Sequence, residues 1–581
     1  MDPVSAAGLG LSRLLEHQPQ VELITLEGYQ MFLEMKEMPS RYEHLRTRMR
    51  LEQSRCLRWG EKVGLAAELL DKPSKVLHLN HNLVLDVLLQ LQKSFRSCLD
   101  ITIKYDTRPQ ALPGKTSTDL DSIRSSFLRK TLTVWERAGH VVGRVEWAMI
   151  RKDGFEALIK QLIQFNDSIE SLLDRDTLEE LRTVQAQSHL ALLQMTEQVT
   201  QLNDLVRALQ VVVVPDQDAN WGNIPRSSAL VQPEDQTMIM LAVFKSRHPI
   251  PSSLEHGTQV APQLRIDIDG LQLGRTLQSG RQLGALNGHH VWLEWQHRNT
   301  DIDPRSSYNA VLDARIGDLA AILADQDKPA AFSSPRCLGY TRSTKGHNSE
   351  LALVFERPEH SEEDDSGPLS LRGMVSNDAG VSLNARFELA CTLAESLMYL
   401  HAVNWVHKGI SSENVLFHPG PDRRLKFYEP VLSGFEHARP ALPEELTLPN
   451  DSTPERDFYR HPELLGLNPG RSRKSHDIYS LGLLLTEIAL WRPIEKIVSL
   501  ELRKSKAILV RPRMLDPNLH VFQLVAEAAG RTYADVVRTC ITGGSSIGLS
   551  EGADEEDATI GALLLRNMHQ KVVVPLKGLK I

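Results

Sequence analysis

At 581 residues the chain is too long for one compact core, and at roughly 150 residues per domain it allows two to four units, of which the pattern supports two. With 41% apolar and 24% charged residues it has the composition of a soluble globular protein, and its net charge of −8 excludes a general nucleic-acid-binding surface. Cys56, Cys98, Cys337, Cys391 and Cys540 are widely spaced without a CxxC pair, an intracellular usage that excludes a disulfide framework or a cysteine-held zinc.

The start of the chain carries Asp2 and no basic residue ahead of its first apolar stretch, so no secretory leader is expected. No window of about 20 residues is apolar enough to predict a membrane-spanning helix. The expected location is the cytoplasm, with recruitment to the plasma membrane as a second state. Up to about Gln210 the pattern is helical, interrupted by polar loops near Asp71–Lys75 and Arg108–Leu120. Tyr42, Leu45, Met49, Cys56 and Trp59 recur at helical spacing, as do Phe155, Leu158, Ile159, Leu162, Ile169 and Leu172. Asp153 is the predicted N-cap of the second run, because its short side chain can accept an orphan backbone N–H. Leu192, Met195, Val199, Leu202, Val206 and Leu209 form a heptad seam and predict one last helix, either a further bundle member or a brace that ties the bundle to the second half of the chain. Arg41, Arg46, Arg48, Arg50, Arg55 and Arg58 give the first run a basic face with Glu43 and Glu52 interspersed. Such a face is either solvated with local ion pairs, or a surface for anionic lipid at about 1 kcal/mol per basic residue.

The stretch EGYQMFLEMKEMPSRYEHLRTRMRLEQSRCLRWGEKVGL, Glu27 to Leu65, comes after an N-terminal MDPVSAAGLGL and resembles the HeLo domain of fungal cell-death proteins, the HET-S relatives. RVEWAMIRKDGFEALIKQL, Arg144 to Leu162, extends the likeness. The resemblance implies an α-helical bundle that associates with other HeLo domains or with itself, and whose small-residue N-terminal segment can enter and permeabilise membranes. On that reading Leu9, Leu11, Arg46 and Arg50 are the candidate membrane or partner face. Arg13, Glu16, His17 and Gln18 come next, where an inserting segment would stay apolar, and a central charge costs about 2.5–3.5 kcal/mol on insertion scales.

Pro215, Pro225 and Pro233, in a stretch without periodicity, predict a connector over 211–236. From about Thr237 short strand-like runs give way to long helices. Val291–Trp295 and Leu351–Phe355 read as strands, and HSEEDDSGP after them as a solvent loop. Leu389, Ala390, Leu393, Leu397 and Leu400 form a buried helical stripe. Next come HKGISSEN at His407–Asn414, strand-like Val415–Phe417, SGFEHAR, YRHPELL at Tyr459–Leu465 and the apolar DIYSLGLLLTEIALW at Asp477–Trp491. The order and spacing of these segments resemble the protein kinase fold, with HKGISSEN at the catalytic loop and SGFEHAR at the DFG segment. The expected fold class is therefore multidomain: an N-terminal all-α helical bundle (1–210), a linker (211–236), and an α+β two-lobed protein kinase-like fold (237–545). Its small lobe is expected at about 237–357 and its large lobe at about 368–545, with 546–581 as a C-terminal tail.

Inside that resemblance the positions that carry chemistry are replaced. Glu294 stands where a lysine pairs with nucleotide phosphates, which turns attraction into repulsion at roughly 4 kcal/mol per term at an effective dielectric near 20. Gly409 stands for the general base, Ser411 for the catalytic-loop lysine and Gly434 for the metal-binding aspartate, and a one-residue shift offers only Ser433. Asn414 remains, read as a residual cofactor contact or as a loop-capping amide. His407, Phe435, Glu463 and Asp477 match positions that hold the large lobe together. This is the expected pattern of a pseudokinase, with no catalytic residue, no metal ligand, no required cofactor and weak or absent ATP binding. The expected function is non-catalytic signalling of the fungal cell-death or heterokaryon-incompatibility type, in which a pseudokinase domain regulates a membrane-active or oligomerising bundle. The alternatives are an active kinase with atypical residues and a non-toxic HeLo-binding scaffold or inhibitor. Expected partners are other HeLo proteins, a second copy, or an anionic membrane, and not nucleic acid.

Overall fold

A computed structural model of the chain describes residues 33, 38–63, 90, 94–95, 152–210, 233–248, 262–277, 280–296, 307–343, 350–357, 367–377, 380–418, 425–435, 438–440, 453–466, 470–550 and 552–579. The chain forms two compact units, one of Met1–Ala186 with Thr200–Ile239 and one of Gln187–Val199 with Met240–Ile581.

The first unit is helical where it is described. Helix α1 (Glu43–Val63) packs on α2 (Lys152–Glu170), and α3 (Arg175–Met195) and α4 (Val199–Leu209) come after them in the chain. The stripe Leu45, Met49, Cys56 and Trp59 is buried, as are Phe155, Leu158, Ile159 and Leu162. Each such side chain contributes about 1.5–3 kcal/mol on leaving water. Most of the basic face of α1 turns inward. Arg48 pairs with Glu52 at 2.8 Å, and Arg55 bridges Glu52 at 3.0 Å, Asp167 at 2.7 Å and Glu170 at 2.7 Å. Burial pushes the Glu52 carboxyl up, but Arg55 and Arg48 outweigh it and hold the group below the usual carboxylate range. Arg46 is half-buried against Glu43 at 2.9 Å, whereas Arg50 is exposed. Leu9 and Leu11 lie outside the described residues. Helix α2 begins at Lys152, which places Asp153 in the first turn and not at the N-cap.

The single last helix expected from the heptad seam is two helices, because α3 stops at Met195 and α4 starts at Val199. Lys245 explains the stop: its ammonium donates to the carbonyls of Leu193 at 2.7 Å and Gln194 at 3.3 Å, two acceptors that a continuing helix would have used internally. The seam divides accordingly, with Leu192, Met195 and Val199 exposed and Leu202, Val206 and Leu209 buried.

A second correction concerns the start of the second unit. In place of the strand-like runs expected from Thr237, α5 (Pro233–Arg247) is a helix that buries Leu241, Ala242 and Phe244. Proline is compatible with a first helical turn, so Pro233 begins this helix and does not prevent it. The sheet comes next: β1 (Arg265–Ile266), β2 (Leu271–Thr276), β3 (Gln282–Leu286), β4 (His289–Gln296), then α6 (Ser307–Ala324), β5 (Cys337–Ser343) and β6 (Glu350–Glu356). Its order is β1-β5-β6-β4-β3-β2, antiparallel except for the β1–β5 pair. Asn287 and Gly288, at φ 51° and 85°, make the two-residue turn between β3 and β4 whose backbone twist suits a hairpin. Leu271, Val291, Leu293, Ala352 and Val354 form the core on one side of the sheet.

The rest of the unit is mainly helical: β7 (Leu369–Ser370), α7 (Leu371–Ser376), α8 (Leu383–Ala402), β8 (Trp405–Val406), β9 (Val415–Phe417), β10 (Val431–Leu432), β11 (Arg439–Pro440), α9 (Lys474–Leu490), α10 (Val521–Ala529), α11 (Arg531–Thr542), α12 (Ala558–Met568) and α13 (Val574–Lys577). Helix α9 is buried on nearly every side, which is why its sequence is apolar all round. Of residues 546–581, expected as a tail, the described ones (546–550 and 552–579) are structured. Leu564, Leu565, Met568, Val572, Val573 and Leu576 are buried; α12 packs on α8, and α13 and the π-helical turn His569–Val573 pack on both α8 and α11.

Candidate functional site: a closed cleft beneath the sheet

Glu294 lies on β4 in register with Leu353 and points to the junction between the sheet and the helical part of the second unit. Arg281 precedes β3 and reaches the same point. Its Nε donates to Glu294 Oε1 at 2.8 Å, its Nη2 to Asn414 Oδ1 at 2.7 Å and its Nη1 to the Glu413 carbonyl at 3.1 Å. The other side of the carboxylate is also occupied: the Ser433 hydroxyl donates to Oε1, and the Gly434 N–H donates to Oε2 at 3.2 Å. Asn414 Nδ2 completes the set by donating to the Gly409 carbonyl at 2.7 Å. Arg281 and Glu294 are each about 95% buried, at 4% and 6% exposure, and a pair so far from water holds only when its remaining donors and acceptors are matched, as they are here. The network closes on itself: one guanidinium fills the space between carboxylate and amide.

The two glycines are required by this packing. A Cβ on Gly434 would lie 2.2 Å from Asn414 Nδ2, and the residue has φ +84°. A Cβ on Gly409 would lie 2.5 Å from the Gly434 carbonyl oxygen. Ser411 is buried without a lysine-like reach, and its carbonyl accepts from the Asn414 N–H at 3.1 Å. The two glycines let the loop of His407–Asn414 and the strand end at Ser433–Phe435 approach each other.

Around this plug stands a scaffold. Asp477, at the start of α9, accepts from the backbone N–H of His407 at 2.7 Å and of Lys408 at 2.8 Å, and its Oδ2 lies 3.2 Å from His401 Nε2. Burial pushes the Asp477 carboxyl up, but the His401 bond and the His407 contacts prevail and keep it low, so it stays an acceptor. Phe435 is buried and packs on the His407 ring at a centroid distance of 4.5 Å. Glu463 is not part of this cluster. It is exposed and sits beside His476, whose Nε2 is 3.2 Å away, at a separate cavity. The structure thus brings Glu294, Gly409, Asn414 and Gly434 together, with His407, Phe435 and Asp477 behind them and Glu463 elsewhere.

Sequence reasoning missed Arg281. Its signal was strand parity: Arg281 and Leu283 alternate onto the same side of the chain, and Leu283 is buried at 4%.

Two families match the chain. Residues 24–205 match the HeLo family, described as prion-inhibition and propagation, so the helical N-terminal part carries a HeLo domain. Residues 335–578 match a family described as a domain of unknown function, DUF7580. No curated protein matches the chain.

Proposed function

We propose that the chain is a non-catalytic signalling protein of the fungal cell-death, heterokaryon-incompatibility type, in which the HeLo domain oligomerises or binds other HeLo proteins and a pseudokinase-like second unit sets its state. The HeLo match over residues 24–205 supports the first half. For the second half, the support is an arrangement: strands β2-β3-β4-β6-β5 in that order, one helix between β4 and β5, and a helical part after them whose Asp477 anchors the backbone of the His407–Asn414 loop. That is the arrangement a protein kinase's two lobes would have. The observation that carries the non-catalytic reading is the Arg281–Glu294–Asn414 plug, because phosphate groups and Mg²⁺ would have to displace a buried, fully hydrogen-bonded ion pair.

The test is a titration of the full chain with ATP, with and without Mg²⁺, read by calorimetry and thermal melting. No saturable Mg²⁺-dependent binding is expected. Saturable binding that Asn414→Ala abolishes would establish an atypical kinase instead.

A second reading, a HeLo-binding scaffold that acts without entering membranes, is favoured by the inward turn of Arg48 and Arg55. Among the described residues, no helix is long and apolar enough to cross a membrane. Cosedimentation of the full chain with anionic vesicles separates the two: the scaffold stays in the supernatant and leaves the vesicles intact, whereas the membrane-active form pellets with them and leaks them. The working location in either reading is the cytoplasm, and the membrane-active form adds the plasma membrane.

A further inference from the structure

A second cavity lies apart from the plug, between the start of α9, the end of α11 and the glycine-rich turn after it, and its volume is about 220 Å³. That is below the roughly 300–1,000 Å³ of pockets for drug-sized molecules, so any occupant is small. Its charged walls are Arg473, Arg511, Glu463 and Glu555, with His461, His476 and Tyr479 between them.

The hydrogen bonds of this wall are unequally matched. The carboxylates have their donors: Glu555 accepts from the backbone N–H of Ser475 at 2.9 Å and from its hydroxyl, and Glu463 Oε2 lies 3.2 Å from His476 Nε2. The donors do not all have acceptors. The Tyr479 hydroxyl, on a side chain only 1% exposed, finds no partner among the described residues, and neither does the buried Arg511 Nε–H. Arg511 commits only Nη2, to the Thr542 carbonyl at 2.8 Å. The imidazoles add no unused acceptor. His461 Nδ1 accepts from the Glu463 backbone N–H at 3.3 Å and His476 Nδ1 from the Arg473 backbone N–H at 3.2 Å. Burial holds both rings below their ordinary pKa, so each is neutral and carries its proton on Nε2.

The same tautomers argue against a metal. His461, Glu463 and His476 bring ligand atoms within 4.8 Å of one another. Binding through Nε2 would drive each ring proton onto an Nδ1 that already faces a backbone N–H. The wall lacks acceptors to receive its donors, not a cation to satisfy its acceptors.

We propose that this cavity binds a small tetrahedral oxyanion, inorganic phosphate or the phosphoryl group of a small phosphomonoester, held by the Tyr479 hydroxyl and the Arg511 guanidinium with Arg473 at the rim. A buried donor without an acceptor is costly, and an oxyanion offers several acceptors at once, with charge-assisted bonds to arginine. Gly543 and Gly544, at φ 58° and 48°, let the backbone turn back past the cavity without side chains that would fill it.

The experiment is calorimetry and thermal melting of the full chain at fixed ionic strength, titrated separately with inorganic phosphate, O-phosphoserine and chloride. Saturable binding of phosphate or phosphoserine, but not chloride, is expected, and the stronger of the two identifies the source. Tyr479→Phe is expected to weaken it at least tenfold while melting no lower than the parent without ligand, because it removes only a hydroxyl that has no partner among the described residues. Arg511→Lys, which keeps the charge and loses the fork, is expected to weaken it by a similar factor. Absence of saturable binding by either phosphate compound overturns the proposal, as does binding that Tyr479→Phe leaves unchanged.

Discussion

On the proposed pseudokinase-like reading, placing aspartate at position 409 or 434 is expected to damage the fold without creating activity. Aspartate at position 434 would need a positive φ and would drive its Cβ to 2.2 Å from Asn414 Nδ2, so Gly434→Asp is expected to lower stability by about 1–3 kcal/mol and to yield no phosphoryl transfer in a Mg²⁺-ATP assay. Gly409→Asp meets a backbone carbonyl at 2.5 Å and should behave alike. A gain of Mg²⁺-dependent binding in the Gly409→Asp, Gly434→Asp double variant would contradict the closed-cleft reading. The ion pair gives a complementary prediction. Arg281→Met strands a buried carboxylate that keeps only Ser433 and Gly434 as donors, and breaking a buried pair typically costs about 3–5 kcal/mol. Adding Glu294→Met removes the stranded charge, so the double variant is expected to unfold at higher denaturant than the single one. Positions 294, 409 and 434 stood out in the sequence because each sits inside a run that resembles a kinase segment. Their partner did not, since Arg281 lies 13 positions from Glu294 and 133 from Asn414, and only the fold makes them neighbours.

At the level of elements, the stop of α3 is held by a buried polar cluster in the second unit. Lys474 donates to Gln194 Oε1 and Asn404 Oδ1, each at 2.9 Å, and Gln194 Nε2 donates to Asn404. Burial, with Lys245 nearby, pushes the Lys474 ammonium down to about 7, and burial pushes Lys245 down to about 8. Proton counts give the sign. Between about pH 7 and the ordinary lysine value near 10.5, the unfolded chain binds more protons at these sites than the folded chain, so their linkage raises stability as pH rises. Buried Cys337 and Cys540, pushed up to about 12, oppose this above their ordinary value near 9, so the lysine effect is cleanest between about pH 7 and 8.5. Lys474→Met should flatten the rise of melting temperature with pH across that window relative to the parent, and an unchanged slope would remove Lys474 as its source. Heptad spacing could show an apolar seam through 192–209 but not its interruption. The break depends on Lys245, a residue that local periodicity leaves on a different element.

For the whole molecule, the division into a helical first half and a mixed second half was readable from periodicity, and so were β4, β6, α8 and α9, whose apolar patterns are long or strongly biased. The C-terminal segment was misread because its local signals conflict. GGSSIG suggests an end of order, and the valine run before Pro575 favours a strand. Tertiary packing prevails: the π turn at His569–Val573 precedes a helix that starts by tolerating Pro575, and Lys571 anchors the turn to the Ser546 carbonyl at 2.8 Å. Leu564, Leu565, Met568, Val572, Val573 and Leu576 are buried there, and at about 1.5–3 kcal/mol each their loss is on the order of 10 kcal/mol. A typical domain has only about 5–15 kcal/mol of net stability. A chain ending at Leu549 is therefore expected to lose the cooperative melting of the second unit and to be cut by protease within α8 and α11, whereas one ending at Lys577 should melt close to the parent. If the shorter chain retained a sharp transition, the segment would be an appendage after all, and the core of the second unit would have to be complete without it.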